Sequence, residues 1–198
     1  ELAAAACCFG AAGCKLAVVE LPDAGLAAAL PQMPVCAVTA IGSDGVSRSV
    51  ERSAALAAGV MREGTVCVTA PEQPKPALSE LIVAAGKAGC ELVVPDPEDI
   101  TFLDAEKVNS KVDYGGYPIP LTFLGRHAVG NAALAVELAL ALWRKGFDIA
   151  DEAILEGLEA VENRSSIRVI SRKPLVILDA CRTPQQACAL LRVLNMAK

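Results

Sequence analysis

The side chains able to do chemistry are few and scattered along this 198-residue chain. Its single histidine, His127, is the residue type that binds metal or shuttles protons near neutral pH. It stands just ahead of a long apolar helical stretch, where the competing role is a structural one at the helix start. Glu20 lies next to the end of the run LAVVEL, and the exit of a parallel strand is where α/β folds present groups to ligands, although an acid there is often only solvated. Asp44 lies in the segment GSDG. A hard cation needs several donors held together, so two scattered acids do not make a site. Eight cysteines, Cys7, Cys8, Cys14, Cys36, Cys67, Cys90, Cys181 and Cys188, sit singly in apolar patterns with no C-x-x-C pair and none near His127 in sequence. They read as small buried hydrophobes in a reducing compartment, which places the chain in the cytoplasm and gives a structural zinc site little support. No G-x-x-x-x-G-K-[ST] phosphate cradle occurs anywhere.

The elements that must position these groups alternate. Short β-branched runs at residues 16–21, 35–41, 66–70 and 92–94 are apolar enough to be covered on both faces, and helical stretches at 50–62 and 77–88 lie between them. That is an α/β fold with a mostly parallel sheet flanked by helices. Gly89 stands where a helix stop is expected. Residues 101–123 turn irregular, and the YGGYP cluster reads as a turn joining short antiparallel strands. A long helix follows over about 128–145 with Leu134, Leu138 and Leu142 on one stripe, then a second over about 150–160. The polar ENRSS stretch at 162–166 reads as a linker. Strands at 167–170 and 175–179 and a helix from Pro184 open a further unit. These features divide the chain at 1–161 and 162–198. A unit of about 35 residues buries too little apolar surface to fold alone, so it is expected to pack on the first domain or on another chain.

A net charge of −5 with no basic run excludes a duplex-tracking surface, so no nucleic-acid partner is expected. Apolar stretches are broken by Pro, Gly or charge before the roughly 18 residues a membrane span needs, so no membrane partner is expected either. The chain begins with Glu1 inside a helical pattern and without an initiating Met, which raises the expectation of an N-terminal truncation.

Seven segments, in order, resemble the folylpolyglutamate/dihydrofolate synthase family of the Mur ligase superfamily. LTFLGRHAVGNA at 121–132 is similar to the family's L-x-G-x-H-Q-x-x-N-A signature, and LALALWRKGFDIADEAILEGL to the helix-Gly-helix passage that follows it. LAVVELPDAG stands for E-V-G-L-G-G-R, PVCAVTAIGSDGV for P-x-x-x-x-I-T-x-I-G-x-D-H-V, and LAAGVMREG for E-K-A-G-I-I-K-x-G. IRVI and PLVILDACRTP are similar to R-L-E-V-I and P-x-x-x-L-D-G-A-H-N-P.

The resemblance implies a Mur-ligase central ATPase domain without its P-loop part, joined to the first βα unit of a Rossmann-like C-terminal domain. It implies ligase chemistry in which ATP phosphorylates a folate carboxylate and the amine of glutamate attacks the acyl phosphate. It implies magnesium near Glu20, Asp44 and His127, and nucleotide near Asn131, Asp179 and Arg164. Against it, Gly45 stands where the family has a metal-binding histidine, and Leu56-Ala57 where it has Glu and a carbamylated lysine. Leu26 stands for an arginine, Ala128 for a glutamine, Ser165-Ser166 for Gly-Arg, and Arg182-Thr183 for His-Asn. Losses fall on polar motif residues while apolar spacing persists, as in a chain that must fold but need not catalyse. The expectation is therefore a degenerate or truncated relative, inactive alone, with ATP and Mg bound weakly or not at all. The alternatives are an active ligase completed by further sequence, or an interaction protein that forms a homodimer.

Overall fold

The structure, a computed structural model, describes residues 2–21, 24–42, 49–102, 111–120, 126–161, 168–181, 186–188, 190, 191 and 194. It opens with helix α1 (Leu2–Ala11), none of whose residues is buried. Strands β1 (Val35–Val38), β2 (Val66–Thr69) and β3 (Glu91–Val93) then form a parallel sheet in the order β1-β2-β3, as their β-branched runs predict. Helix α2 (Val50–Ala57) connects β1 to β2, and α3 (Lys75–Ala88) connects β2 to β3.

Both crossover helices have local reasons to start or stop where they do. Ser49 caps α2, its hydroxyl accepting from the Arg52 N–H at 3.3 Å. Glu51, reaching back to its own N–H and to Ser49, is held below the usual carboxylate range. The helix expected over 50–62 ends at Ala57 and tightens into a 3-10 turn at Ala58–Val60. The Arg62 guanidinium, just beyond that turn, donates to the carbonyls of Ala27 and Leu30 (3.1 Å for the latter) and pins the Ala24–Ala29 turn. Gly89 ends α3 at φ 65°, a left-handed conformation that glycine adopts without strain, and its N–H bonds Ala85 O.

Helices α2 and α3 cover one face of the sheet, where Cys36, Val38, Ala54, Cys67, Leu81 and Ala85 form a buried cluster. Helix α4 (Arg126–Arg144) covers the other, setting Leu134, Leu138 and Ala141 on Val66 and Val68. Leu134 and Leu138 of the predicted stripe thus meet the sheet, with Ala141 in place of Leu142. Helix α5 (Asp151–Glu159) follows after Gly146, at φ 90°.

Strands β4 (Ile100–Phe102), β5 (Lys111–Tyr114) and β6 (Tyr117–Pro120) make the expected antiparallel sheet. Gly115 and Gly116 both take positive φ in its two-residue turn, the backbone that a tight hairpin requires, and Asp113 Oδ1 accepts from the Gly116 N–H at 2.9 Å. This sheet packs on α4 and α5 through Val112, Tyr114, Ile119, Val136 and Ile154. Two phenols fasten it: Tyr114 donates to Glu137 Oε1 and Tyr117 to Asp151 Oδ1, both at 2.8 Å.

Burial, and then the adjacent Glu137 carboxylate, push the Tyr114 phenol above its ordinary range. A raised folded pKa means that the stability this group contributes is full below the unfolded tyrosine value of about 10 and is lost as pH rises through the folded value. Tyr114→Phe is therefore expected to cost about 1 kcal/mol at neutral pH. It is also expected to flatten the fall of the urea midpoint above pH ~10, leaving the part due to Tyr117 and the buried thiols.

Two expectations are corrected. Residues 16–21 form no strand: Val18 is 91% exposed and Leu16 and Val19 are exposed beside it. A β-branched run becomes a strand only when neighbours take its backbone hydrogen bonds, and no described strand pairs with this one. The cysteines are not uniformly buried. Cys36, Cys67 and Cys90 are, but Cys7, Cys8, Cys14 and Cys188 are exposed and Cys181 is intermediate; α1, which carries Cys7 and Cys8, has no buried residue. Beyond the first unit, β7 (Arg168–Arg172) and β8 (Leu175–Leu178) pair antiparallel as a hairpin. Ile170, Leu175, Val176 and Leu178 are exposed on it within this chain. Residues 186–188 are helical, in line with the predicted last helix.

Candidate functional site

Open α/β sheets bind ligands beyond the carboxyl ends of their strands. Here that end is organised by Gln73, in the turn between β2 and α3. Its Nε2 donates to Thr39 O at 2.9 Å and Thr69 Oγ1 at 2.8 Å, and its Oε1 accepts from the Ile41 N–H at 2.9 Å. Thr69 Oγ1 in turn donates to Val38 O at 3.3 Å, and the Ala70 N–H bonds the same carbonyl at 3.0 Å. One carboxamide thus clamps the segment leaving β1 to the segment leaving β2. Sequence reading passed over Gln73; the signal was a glutamine between Glu72 and Pro74 in a strand-to-helix turn.

The amino end of α4 approaches the same edge. A Cβ built on Gly130 would lie 3.4 Å from Pro71 Cγ, ordinary contact, so α4 passes close to the turn after β2. Val129, beside it, is buried. His127 therefore sits on the first turn of α4 and Asn131 on the second, near the carboxyl end of β2. Asn131 is exposed, which suits both the nucleotide-facing and the solvent-facing role.

The other candidates are spread out. Glu20 is exposed on the unpaired segment before Leu21, which packs against the α2/α3 cluster. Asp179 follows β8 on the hairpin, where its Oδ1 accepts from the Cys181 N–H at 2.8 Å in a local turn. Asp44, Gly45 and Arg164 lie outside the described residues. Ala57 ends α2 partly buried and packed on the core, whereas Leu56 is exposed, so only the first of this pair is a core residue. Among the described residues no three His, Cys, Asp or Glu side chains gather into a metal-holding group. No described helix is long and apolar enough to cross a membrane.

No family model matches the sequence, and no curated protein does. Solved structures do. The apo form of Lactobacillus casei folylpolyglutamate synthase superposes with a TM-score of 0.76 at 19% identity, over 96% of this chain and 49% of that one. The Mycobacterium tuberculosis enzyme complexed with ADP gives 0.75 at 23%, over 95% and 45%. The fold is that of a folylpolyglutamate synthase. A folylpolyglutamate synthase complexed with AMPPCP and folate matches at 0.68 and 19%, over 84% of this chain and 43% of that one. The chain thus spans slightly less than half the length of the folylpolyglutamate synthases whose fold it shares, and at these identities the likeness establishes the fold alone.

Proposed function

We propose that this chain is a folylpolyglutamate-synthase-type unit that neither holds Mg-ATP nor ligates glutamate on its own, and that it acts by binding or partnering. Ala57 carries the reading. Where the resemblance places a carbamylated lysine supporting a metal, a methyl group lies partly buried against the α2/α3 core. Gly45 in place of a histidine and the lack of a phosphate cradle in the sequence support the same conclusion. Helix α4 with His127 and Asn131, and Asp179, Asp44, Glu20 and Arg164, are remnants of an ancestral ATP and magnesium pocket in this reading. Folate, glutamate, ATP and Mg belong to its relatives. A ligand that binds only the folded state at 100 times its Kd raises stability by about 2.7 kcal/mol. Millimolar Mg-ATP is expected to leave the urea unfolding midpoint of this chain unchanged, and a clear upward shift would count against the proposal.

A second reading is an active ligase of the same type, completed by sequence beyond this chain; the coverage of less than half of the matched enzymes favours weighing it. Its signature is ADP release dependent on both folate and glutamate from the full-length product, abolished by His127→Ala. A third is a homodimer formed through the hairpin, on which Ile170, Leu175 and Leu178 are exposed. Light scattering that finds only monomer at high concentration rules it out.

A further inference from the structure

The register of the parallel sheet puts Cys36 of β1 directly opposite Cys67 of β2. Both belong to the cluster under α2 and α3, and both are reduced. Cys67 is fully buried and Cys36 retains 8% exposure. Partners on adjacent strands lie about 4.8 Å apart, within the roughly 4.4–6.8 Å Cα separation that a disulfide requires. Residues paired across a parallel ladder point to the same face, so both sulfurs lie on the side covered by α2 and α3, and closing the bond draws the two strands slightly together. The neighbouring Cys67 thiol lowers the Cys36 thiol below its ordinary range, and the Cys36 thiol and burial raise that of Cys67. Cys90, buried after α3, lies in the same cluster, and burial pushes it up.

We propose that Cys36 and Cys67 are a redox pair that a peroxide closes into a disulfide across β1 and β2. Cys36 reacts first, since it alone of the pair keeps contact with solvent. Its sulfur attacks a peroxide oxygen, the O–O bond breaks, and the departing hydroxide takes the thiol proton as water, leaving a sulfenic acid on Cys36. The Cys67 sulfur then attacks that sulfur; the S–S bond forms, the S–O bond breaks, and the second hydroxide leaves as water with the Cys67 proton. Two thiols lose two electrons and one hydrogen peroxide becomes two waters. The bond staples β1 to β2 just below the Gln73 clamp, and a thiol reductant reopens it by exchange.

The test treats the whole folded chain with hydrogen peroxide, quenches, unfolds, alkylates the remaining thiols and maps the peptides without reduction. The expected result is joint loss of alkylation at Cys36 and Cys67, with one linked peptide pair lighter by two hydrogens, while Cys90 stays alkylated and dithiothreitol restores both sites. Exposed Cys7, Cys8, Cys14 and Cys188 report the oxidant dose. In Cys67→Ser, Cys36 is expected to be captured by dimedone as a sulfenic acid; the wild-type map decides the matter even if that variant fails to fold. Full alkylation of both residues at a dose that oxidises the exposed cysteines overturns the proposal, as does a peptide linking Cys67 to Cys90.

Discussion

Replacing Leu81 by Ala is expected to lower the unfolding free energy by about 3 kcal/mol, because it deletes a fully buried side chain at the centre of the α2/α3 cluster. The loss has two parts: the transfer of the missing methyl and methylene groups, and a cavity that a helix docked on a rigid sheet cannot collapse to fill. Against a total of about 5–15 kcal/mol for an ordinary domain, that is a large fraction. Urea unfolding should show a lower midpoint with an unchanged slope. A loss below about 1 kcal/mol would mean that α3 is not seated on β1 and β2 as described.

Gln73→Leu is expected to cost about 2 kcal/mol although it preserves side-chain bulk, since it removes the bonds of Gln73 to the Ile41 N–H and the Thr39 carbonyl and the bond that the Thr69 hydroxyl accepts. Water reaches part of this loop, so the penalty falls short of three full desolvation terms. The more specific readout is local: hydrogen exchange at the Ile41 amide should accelerate far more than at Val68, in the middle of β2. Gln73→Glu keeps the acceptor for the Ile41 N–H and loses both donated bonds, so Ile41 exchange should fall between wild type and the leucine variant. Equal acceleration at Ile41 and Val68 in the leucine variant would show a global loss of stability and no clamp.

The layers were legible because burial on both faces leaves a simple mark. Val66–Thr69 and Val35–Val38 are short apolar runs flanked by helical periodicity, and the sheet follows from them. Gly89 and the Gly115-Gly116 pair were legible for the same reason, a backbone conformation that favours one residue type. Residues 16–21 carry the same mark and failed, because composition records what a segment is able to pair with and not whether a partner is present. The exposed Cys7 and Cys8 follow from that error: α1 has the composition of a covered helix and no cover among the described residues. The candidate site was legible only as far as the fold. His127 and Asn131 could be placed on the leading turns of α4, but Gln73 escaped attention because its role arises from the meeting of two loops separated by 34 residues. Nothing local in sequence reports such a meeting.

The central proposal is that this chain, with Gly45 and Ala57 where the resemblance places metal-supporting side chains, does not hold Mg-ATP on its own. Isothermal titration of the whole chain with ATP and excess magnesium tests this directly. The expected result is no saturable heat beyond dilution; a one-to-one isotherm with a micromolar dissociation constant, weakened by His127→Ala, would contradict it.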